Sequence, residues 1–133
     1  MRISKDEYYL NIAREVAKRG TCLRRNYGAV IVNNDRIVST GYNGAPRGEP
    51  NCCDTGKCTR RELNVPQGER FELCFSVHAE QNACLHAGRD ACIGGTIYIV
   101  GIDVKTGEEV PGNPCMMCAR VIKQCGIQRV VTR

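Results

Sequence analysis

Residues 41–75 are the feature that most constrains how this chain can fold. They contain glycine, proline and four cysteines and show almost no apolar periodicity. A structureless loop of this length is uncommon inside a compact domain. The segment has too few apolar residues to fold by burial alone, so we expect a bound metal to hold it in place.

The chain has ten cysteines among its 133 residues. Its first ten residues contain no apolar stretch of signal-peptide length and no small-residue cleavage site. We therefore expect a cytoplasmic protein. In that reducing compartment, cysteines serve as metal ligands, reactive thiols or small core residues rather than in disulfides.

Length and charge narrow the class of protein further. We expect one domain spanning 1–133, with the Cys-containing segment at about 41–75 as an irregular insertion. No apolar run approaches the roughly 18 residues that a membrane span needs. The formal net charge is +5, which favours an anionic ligand, although a solvated basic surface explains it equally well. The absence of Trp and the scarcity of other aromatic residues argue against binding to long single-stranded nucleic acid.

Apolar spacing and turn residues predict three helices and four strands. Ser4 followed by Glu7 is typical of a capping box, and helical spacing continues over residues 4–19. Two β-branched runs separated by Asn and Asp residues predict a hairpin. The elements after the first helix are strands at 27–32 and 36–40, a helix at 77–87, a strand at 96–100, a helix at 114–125 and a strand at 127–131.

The order αββαβαβ indicates an α/β fold. Helices alternate with strands in the second half, which favours right-handed crossovers and parallel pairing, whereas the hairpin adds an antiparallel edge. We therefore expect a central mixed sheet between helices, that is, a three-layer α-β-α sandwich.

Two short motifs lie at predicted helix starts, HAE at 78–80 and PCMMC at 114–118. One His and two Cys give tetrahedral zinc three ligands and leave one position open for water, as in catalytic zinc sites. We therefore predict that His78, Cys115 and Cys118 bind Zn²⁺.

Pro114 and Glu80 add detail to this site. Proline suits the first helical turn and would place the Cys115 thiolate at the positive end of the helix dipole. Glu80 lies about 200° around a helix from His78, so it is not expected to share the ligand direction. A carboxylate beside the water position fits the role of proton acceptor.

Each motif alone has a plainer explanation. A single CxxC is common in structural zinc sites, and a single His near a helix start is often only a hydrogen-bonded polar group. Their succession, with a strand between the two helix starts, favours a catalytic site. The pattern H-x-E…P-C-x-x-C is typical of zinc deaminases that act on nucleobases.

The chain resembles the cytidine and deoxycytidylate deaminase superfamily, and within it the dCMP deaminases. Four segments carry the resemblance and are spread over nearly the whole chain. They are YGAVIV at 27–32, TGYNGAP at 40–46, HAEQNA at 78–83 and PCMMC at 114–118.

The resemblance implies a five-stranded sheet, of which four strands are recognised above. It implies zinc-dependent hydrolysis of dCMP to dUMP and ammonia, which supplies dUMP for thymidylate synthesis. In that reaction Glu80 takes a proton from the zinc-activated water that attacks C4, and returns protons to N3 and the departing amine. The resemblance also implies a homo-oligomer.

Further substrate contacts are expected around these motifs. Asn43, in the GYNG segment, would bind the sugar hydroxyl, with a turn residue as the alternative. The backbone of Ala79 would accept from the base amine. Arg24, Arg25 and Arg47 flank motif segments and are candidate donors to a 5′-phosphate, with a solvated surface as the alternative for each.

A second, structural zinc is expected to tie the segment at 41–75 to the helix that carries His78. Its predicted ligands are Cys22, Cys52, Cys58 and Cys74. Some dCMP deaminases resemble this chain in carrying an extra zinc near these places. Cys53 is an alternative to Cys52 or Cys58, and buried free thiols are the alternative to the whole site.

Three cysteines and one insertion remain. Cys84, Cys92 and Cys125 are expected to be core residues within or beside helices. Residues 101–113 separate the third strand from PCMMC by more than in many relatives, which affects the rim of the pocket.

Two other functions are compatible with the same residues. The first is another deaminase of this fold, acting on cytidine, guanine or tRNA adenosine. The second is a noncatalytic zinc-stabilised binding module. Glu80 argues against the module, because a closed structural site has no use for a carboxylate beside an open coordination position. GYNG and the basic N-terminal third favour a small phosphorylated deoxynucleoside.

Overall fold

The computed structural model describes residues 1–133, and its elements follow the predicted order with additions. The helices are α1 (Lys5–Ala17), α2 (Cys52–Thr55), α3 (Thr59–Glu62), α4 (Ala79–Ala87), α5 (Arg89–Cys92) and α6 (Met116–Gln124), and a 3-10 turn spans Phe71–Leu73. The strands are β1 (Arg25–Asn33), β2 (Arg36–Tyr42), β3 (Thr96–Asp103), β4 (Glu109–Val110) and β5 (Arg129–Thr132). None of the helices is both long enough and apolar enough to cross a bilayer.

Helix α1 begins where the sequence predicts. Ser4 Oγ accepts a hydrogen bond from the backbone N–H of Glu7 at 3.1 Å, which satisfies one of the free donors of the first turn. The helix ends at Ala17, with Lys18 as its C-cap, so it is slightly shorter than predicted.

Strands β1 and β2 form the predicted antiparallel hairpin. Asn34 and Asp35 connect them with φ angles of 52° and 58°, the left-handed values that a tight two-residue turn requires. Strand β2 lies at an edge of the sheet, and β1 pairs on its other side with β3, again antiparallel. Only β3 and β5 pair in parallel, with α6 between them in sequence. The predicted mixed sheet is confirmed, with parallel pairing limited to one pair of strands.

Two apolar clusters cover the opposite faces of the sheet. Successive residues of β1 alternate between them, since Val30 and Val32 pack with α1, whereas Ala29 and Ile31 pack with α4, α5 and α6. This period of two follows from the pleat of a strand. The predicted three-layer sandwich is therefore confirmed, with one helix on one face and three on the other.

The chain between β2 and α4 is less irregular than predicted, because it contains α2, α3 and the 3-10 turn. Its two ends are joined by backbone hydrogen bonds. Gly44 N–H donates to the carbonyl of Val77 at 3.1 Å, and Val77 N–H donates back to Gly44 at 2.7 Å. These bonds hold the ends of the segment together between β2 and α4.

The fifth strand, β4, lies in the insertion at residues 101–113. The start of this stretch extends β3 to Asp103, and β4 pairs back against it. The carboxylate of Glu109 accepts from Arg133 Nε at 2.9 Å and from Arg14 Nη1 at 3.4 Å. Ion pairs of Glu109 thus connect the insertion both to α1 and to Arg133.

Candidate functional site

Three side chains from two helix N-termini meet between α4 and α6. His78 is the N-cap of α4, Cys115 is the N-cap of α6, and Cys118 lies in the first turn of α6. His78 Nδ1 lies 3.2 Å from Cys118 Sγ and 3.6 Å from Cys115 Sγ. The three ligand atoms all lie within 4.8 Å of one another. The structure therefore brings together the residues that the sequence predicts to bind zinc.

The two helices begin slightly later than predicted. Helix α6 begins at Met116, so Pro114 precedes the N-cap instead of lying in the first turn. The reason is that Cys115 itself caps the helix, since its Sγ accepts from the backbone N–H of Cys118 at 3.5 Å. Helix α4 likewise begins after His78. The Cys115 sulfur still lies at the positive end of the helix dipole, as predicted.

The three ligands suit a zinc ion in chemistry as well as in position. Burial, and after it the charge of Arg60, hold the pKa of His78 below its ordinary value, which favours the neutral imidazole that metals bind. Burial raises the pKa of the Cys118 thiol, so an incoming metal must displace its proton. One nitrogen and two thiolates leave tetrahedral zinc with one open position.

Glu80 is almost fully buried, with 5% of its surface exposed. Burial raises the pKa of its carboxyl group, while hydrogen bonds from the backbone and from the Cys118 thiol act in the opposite direction. The residue lines the same cleft as His78 and Cys115. It is not among the three converging ligands, which is the arrangement expected of a proton acceptor beside the metal position.

The metal position opens into a cleft of about 180 Å³. Four of the predicted substrate-binding residues line this cleft, namely Arg24, Arg25, Asn43 and Ala79. Arg47 does not. It is exposed in a turn closed by a backbone hydrogen bond between residues 46 and 49. The structure therefore does not support a substrate contact for Arg47.

Asn43 is buried and uses its amide group within the chain. Its Oδ1 accepts from the backbone N–H of Tyr27 at 2.8 Å, and its Nδ2 donates to Asn26 Oδ1 at 3.3 Å and to the carbonyl of Arg25 at 3.5 Å. These bonds join the end of β2 to the start of β1. An amide oxygen has two acceptor positions, so Oδ1 retains one for a sugar hydroxyl.

The GYNG and HAEQNA segments contact each other directly. A Cβ atom at Gly41 would lie 2.4 Å from the backbone N of Ala83, so glycine is what allows α4 to approach β2 this closely. Asn82 Nδ2 donates to the carbonyl of Tyr42 at 2.8 Å. The first segment thus helps to place the helix that carries the metal ligand.

The sequence does not predict two residues of the cleft, Arg60 and Phe71. Arg60 is 6% exposed, and it donates from Nε to the carbonyl of Glu69 at 3.1 Å and from Nη2 to that of Pro66 at 3.4 Å. Its guanidinium carbon lies 4.5 Å from the centre of the Phe71 ring. That ring in turn meets the His78 ring edge-on, with centroids 5.9 Å apart. The two side chains therefore build the wall of the cleft next to a metal ligand.

The cysteines predicted to hold a second zinc lie around Cys52. Burial raises the pKa of the Cys52 thiol most, and the thiols of Cys22, Cys74 and Cys58 raise it further. No three of these four sulfurs lie within 4.8 Å of one another, so they are neighbours without forming a closed ligand set. Cys53 is exposed.

This arrangement is that of a zinc centre with an open coordination position beside a buried carboxylate. The sequence matches the model of the cytidine and deoxycytidylate deaminase zinc-binding region over residues 3–133. The chain therefore belongs to the cytidine and deoxycytidylate deaminase family.

Two deoxycytidylate deaminases are similar in sequence to this chain over most of its length. The chain is 38% identical over 130 residues to the deoxycytidylate deaminase of Schizosaccharomyces pombe, and this match covers 98% of this chain and 37% of that protein. It is also 38% identical over 131 residues to the deoxycytidylate deaminase of Mycobacterium phage D29, and this match covers 95% of this chain and 91% of that protein. The chain thus spans little more than a third of the yeast relative and nearly all of the phage relative.

Solved structures agree with the fold. The dCMP deaminase of cyanophage S-TIM5, determined in complex with dCMP and dUMP, superposes with a TM-score of 0.70 at 26% identity, covering 100% of this chain and 83% of that chain. Cytidine deaminase from Mycobacterium tuberculosis superposes with a TM-score of 0.54 at 16% identity, covering 98% and 85%. The second likeness shows the shared fold alone.

Proposed function

We propose that this protein is a zinc-dependent deaminase that hydrolyses dCMP to dUMP and ammonia. The observation that carries the proposal is the convergence of His78, Cys115 and Cys118 beside the buried Glu80 in one cleft. Similarity to deoxycytidylate deaminases of yeast and phage, and to a structure bound to dCMP and dUMP, supports this substrate over others of the family.

The residues of the site have separate roles in this reaction. His78, Cys115 and Cys118 hold zinc, which when bound supplies a Lewis acid that activates water for attack. Glu80 accepts one proton of that water and delivers it to N3, and it then carries the second proton, from the hydroxyl group on C4, to the amine that leaves. Water is consumed, the C4 amine departs as ammonia, and the C4 position becomes the carbonyl of uracil.

Binding of the nucleotide involves the backbone of Ala79 and the side chain of Asn43. The backbone of Ala79 contacts the base, and the free acceptor position of Asn43 Oδ1 receives a hydrogen bond from the sugar hydroxyl. Both residues line the cleft. The other hydrogen bonds of Asn43 keep its amide in one orientation, which reduces the entropy lost when substrate binds.

Arg60 is the strongest candidate for a phosphate contact. It is buried, it forms none of the ion pairs in the chain, and its Nη1 makes no hydrogen bond. A buried cation without a counterion is costly, and contact with an aromatic ring offsets only part of that cost. The 5′-phosphate of the substrate would supply the missing charge. Arg24 and Arg25, which line the same cleft, are the further donors.

A second, structural zinc at Cys22, Cys52, Cys58 and Cys74 is part of the proposal. The support is the gathering of three thiols around Cys52 in a segment of short helices between β2 and α4. Binding would draw the four sulfurs closer and stabilise that segment. In this proposal residues 1–133 act as one deaminase domain, with residues 41–75 as its metal-stabilised insertion.

The proposal also covers the cellular compartment and the oligomeric state of the enzyme. We also propose that the protein is cytoplasmic, because a chain with ten cysteines that serve as metal ligands and core thiols suits a reducing compartment. Leu85 on α4 and Met116 on α6 are 74% and 79% exposed. These apolar side chains on one helical layer support assembly as a homo-oligomer.

Ammonia release from a panel of substrates tests the proposal against its alternatives. Zinc-loaded protein is incubated separately with dCMP, dCTP, deoxycytidine, cytidine and guanine. Preferential turnover of dCMP is expected. Preference for cytidine or guanine would move the chain to another deaminase of this fold, and turnover of none would favour a noncatalytic zinc module.

A further inference from the structure

Three cysteines outside the active site meet in the apolar core. Cys84 lies on α4, Cys92 ends α5, and Cys125 follows α6 directly. Their Sγ atoms all lie within 4.8 Å of one another. Cys84 and Cys92 are buried and Cys125 is half-buried, as expected from the sequence, but their convergence is not predicted by it.

The spacing of these sulfurs is close to that of three ligands on one central atom. Two bonds of about 2.3 Å, the length of a zinc–thiolate bond, place their sulfurs about 3.5 Å apart at the angles of a pyramidal centre and about 3.8–4.0 Å apart at tetrahedral or trigonal angles. The sulfurs, which lie within 4.8 Å of one another, therefore need to approach by about 1.3 Å at most, and side-chain rotation supplies this movement. Three elements therefore present a trithiol with the geometry of a three-coordinate site.

The apolar surroundings of the trithiol favour a bound complex that carries no net charge. The cluster around it consists of apolar residues from the sheet and from α4 to α6. Burial is the main cause that raises the pKa of both Cys84 and Cys92, so these thiols are neutral. Three thiolates around a divalent ion would leave one net negative charge in this core, which is costly without a partner. A neutral complex avoids that cost.

We propose that Cys84, Cys92 and Cys125 form a binding site for trivalent thiophilic oxyacids, with arsenous acid as the representative ligand. Arsenous acid carries three hydroxyl groups and no charge at neutral pH. Three thiols replace the three hydroxyls, three As–S bonds form, and three molecules of water leave. No electron is transferred, no net proton is released, and the product is neutral. Soft thiol ligands select such a soft centre.

Occupation of this site would link the second half of α4 to the C-terminal end of α6, the two helices that carry the zinc ligands. Cys84 lies six residues after His78, and Cys125 lies seven residues after Cys118. Cys125, the half-buried member, provides the point of entry. Bound arsenic would therefore cross-link α4, α5 and α6 and raise the thermal stability of the protein without contacting the zinc ligands.

The test measures arsenic bound to the zinc-loaded full chain. The protein is reduced with a phosphine, incubated anaerobically with arsenite and desalted, after which arsenic and zinc are measured together. We expect one arsenic per chain, an unchanged zinc content, and a mass increase of one arsenic less three hydrogens. X-ray absorption should show three sulfur neighbours for arsenic.

Variants separate this site from the other cysteines. Cys125→Ser and Cys92→Ala should each lose tight binding of arsenic, whereas Cys53→Ser, which removes an exposed thiol outside the cluster, should keep it. Cys125→Ser alone suffices if Cys92→Ala does not fold. The proposal is overturned if the wild type binds no arsenic, if binding survives in Cys125→Ser, or if arsenic enters only as zinc leaves.

Discussion

His78 Nδ1 lies 3.2 Å from the Sγ of Cys118, although forty residues separate them along the chain. The contact exists because two helices, α4 and α6, begin side by side on the same face of the sheet. Each N-terminus favours negative charge, so the pair of helix starts favours the thiolates that zinc requires. The metal centre is therefore a product of the fold and not of either motif alone.

Loss of a zinc ligand should remove metal and activity together. His78→Ala and Cys115→Ala are each expected to contain one zinc per chain fewer than the wild type, because two ligands do not hold the ion tightly. Elemental analysis of purified protein measures this directly. Cys53→Ala, which changes an exposed cysteine, is the matched control and should keep the wild-type zinc content. A full complement of zinc in His78→Ala would contradict the ligand assignment.

Replacement of Arg60 should affect the nucleotide and spare the nucleoside. Arg60→Gln is expected to lower kcat/KM for dCMP by about tenfold to a hundredfold, the effect of losing a charge-assisted hydrogen bond. Weak turnover of deoxycytidine should stay the same, because it has no phosphate. Arg61→Gln, at the exposed neighbouring position, is the control. An equal loss on both substrates would show that Arg60 only supports the wall built by Phe71.

Removal of the Asp6 carboxylate should reduce stability in a pH-dependent manner. Hydrogen bonds from Arg129 and then from Tyr98 hold the pKa of Asp6 below its ordinary value of 3.8. A lowered folded-state pKa gives stability that is fully present above the unfolded value and is lost as the pH falls through the folded value. Asp6→Asn should therefore reduce the free energy of unfolding at neutral pH by up to about 1 kcal/mol, and this loss should be seen as a lower Tm.

The difference in Tm between Asp6→Asn and the wild type should shrink as the pH falls below about 4. Thermal unfolding followed across this range measures it. Glu108→Gln, at an exposed position that forms no ion pair, is the control. A constant difference in Tm at every pH would mean that the charge of Asp6 does not stabilise the fold.

The proposed structural zinc predicts two zincs per chain. Cys74→Ala should reduce the content to one and lower Tm, because the segment between β2 and α4 would lose its metal cross-link. Elemental analysis combined with thermal unfolding tests both effects. A single zinc in fully loaded wild-type protein would refute the second site and leave the catalytic one unaffected.

The sequence predicts the metal centre well because its parts are local. HAE and PCMMC each place a ligand at a helix start, and helix starts are marked by apolar spacing and by proline. The layers of the fold are predicted for a similar reason, since strands with β-branched residues and helices with a 3.6-residue period are recognised from short windows. The two-residue strand β4 is too short to produce such a signal.

The burial of Arg60 in the cleft could not be predicted from the sequence. It stands in the run TRRE at 59–62, which has the composition of an exposed helical turn. Its burial depends on carbonyl groups at Pro66 and Glu69 and on the ring of Phe71, and their positions follow from the path of a loop. Arg47, by contrast, lies next to a motif and is exposed. Proximity to a motif in sequence does not decide which arginine reaches the cleft.

Conversion of dCMP by the wild type and by Glu80→Gln tests the central claim most directly. Zinc-loaded wild-type protein should yield dUMP and ammonia in equal amounts. Glu80→Gln should retain its zinc and lose turnover by about 100-fold or more, because the amide keeps the shape of the side chain and cannot carry the proton. Glu108→Gln, at an exposed position outside the cleft, should behave as the wild type. Absence of dUMP with the wild type, or near wild-type turnover by Glu80→Gln at equal zinc content, would contradict the account.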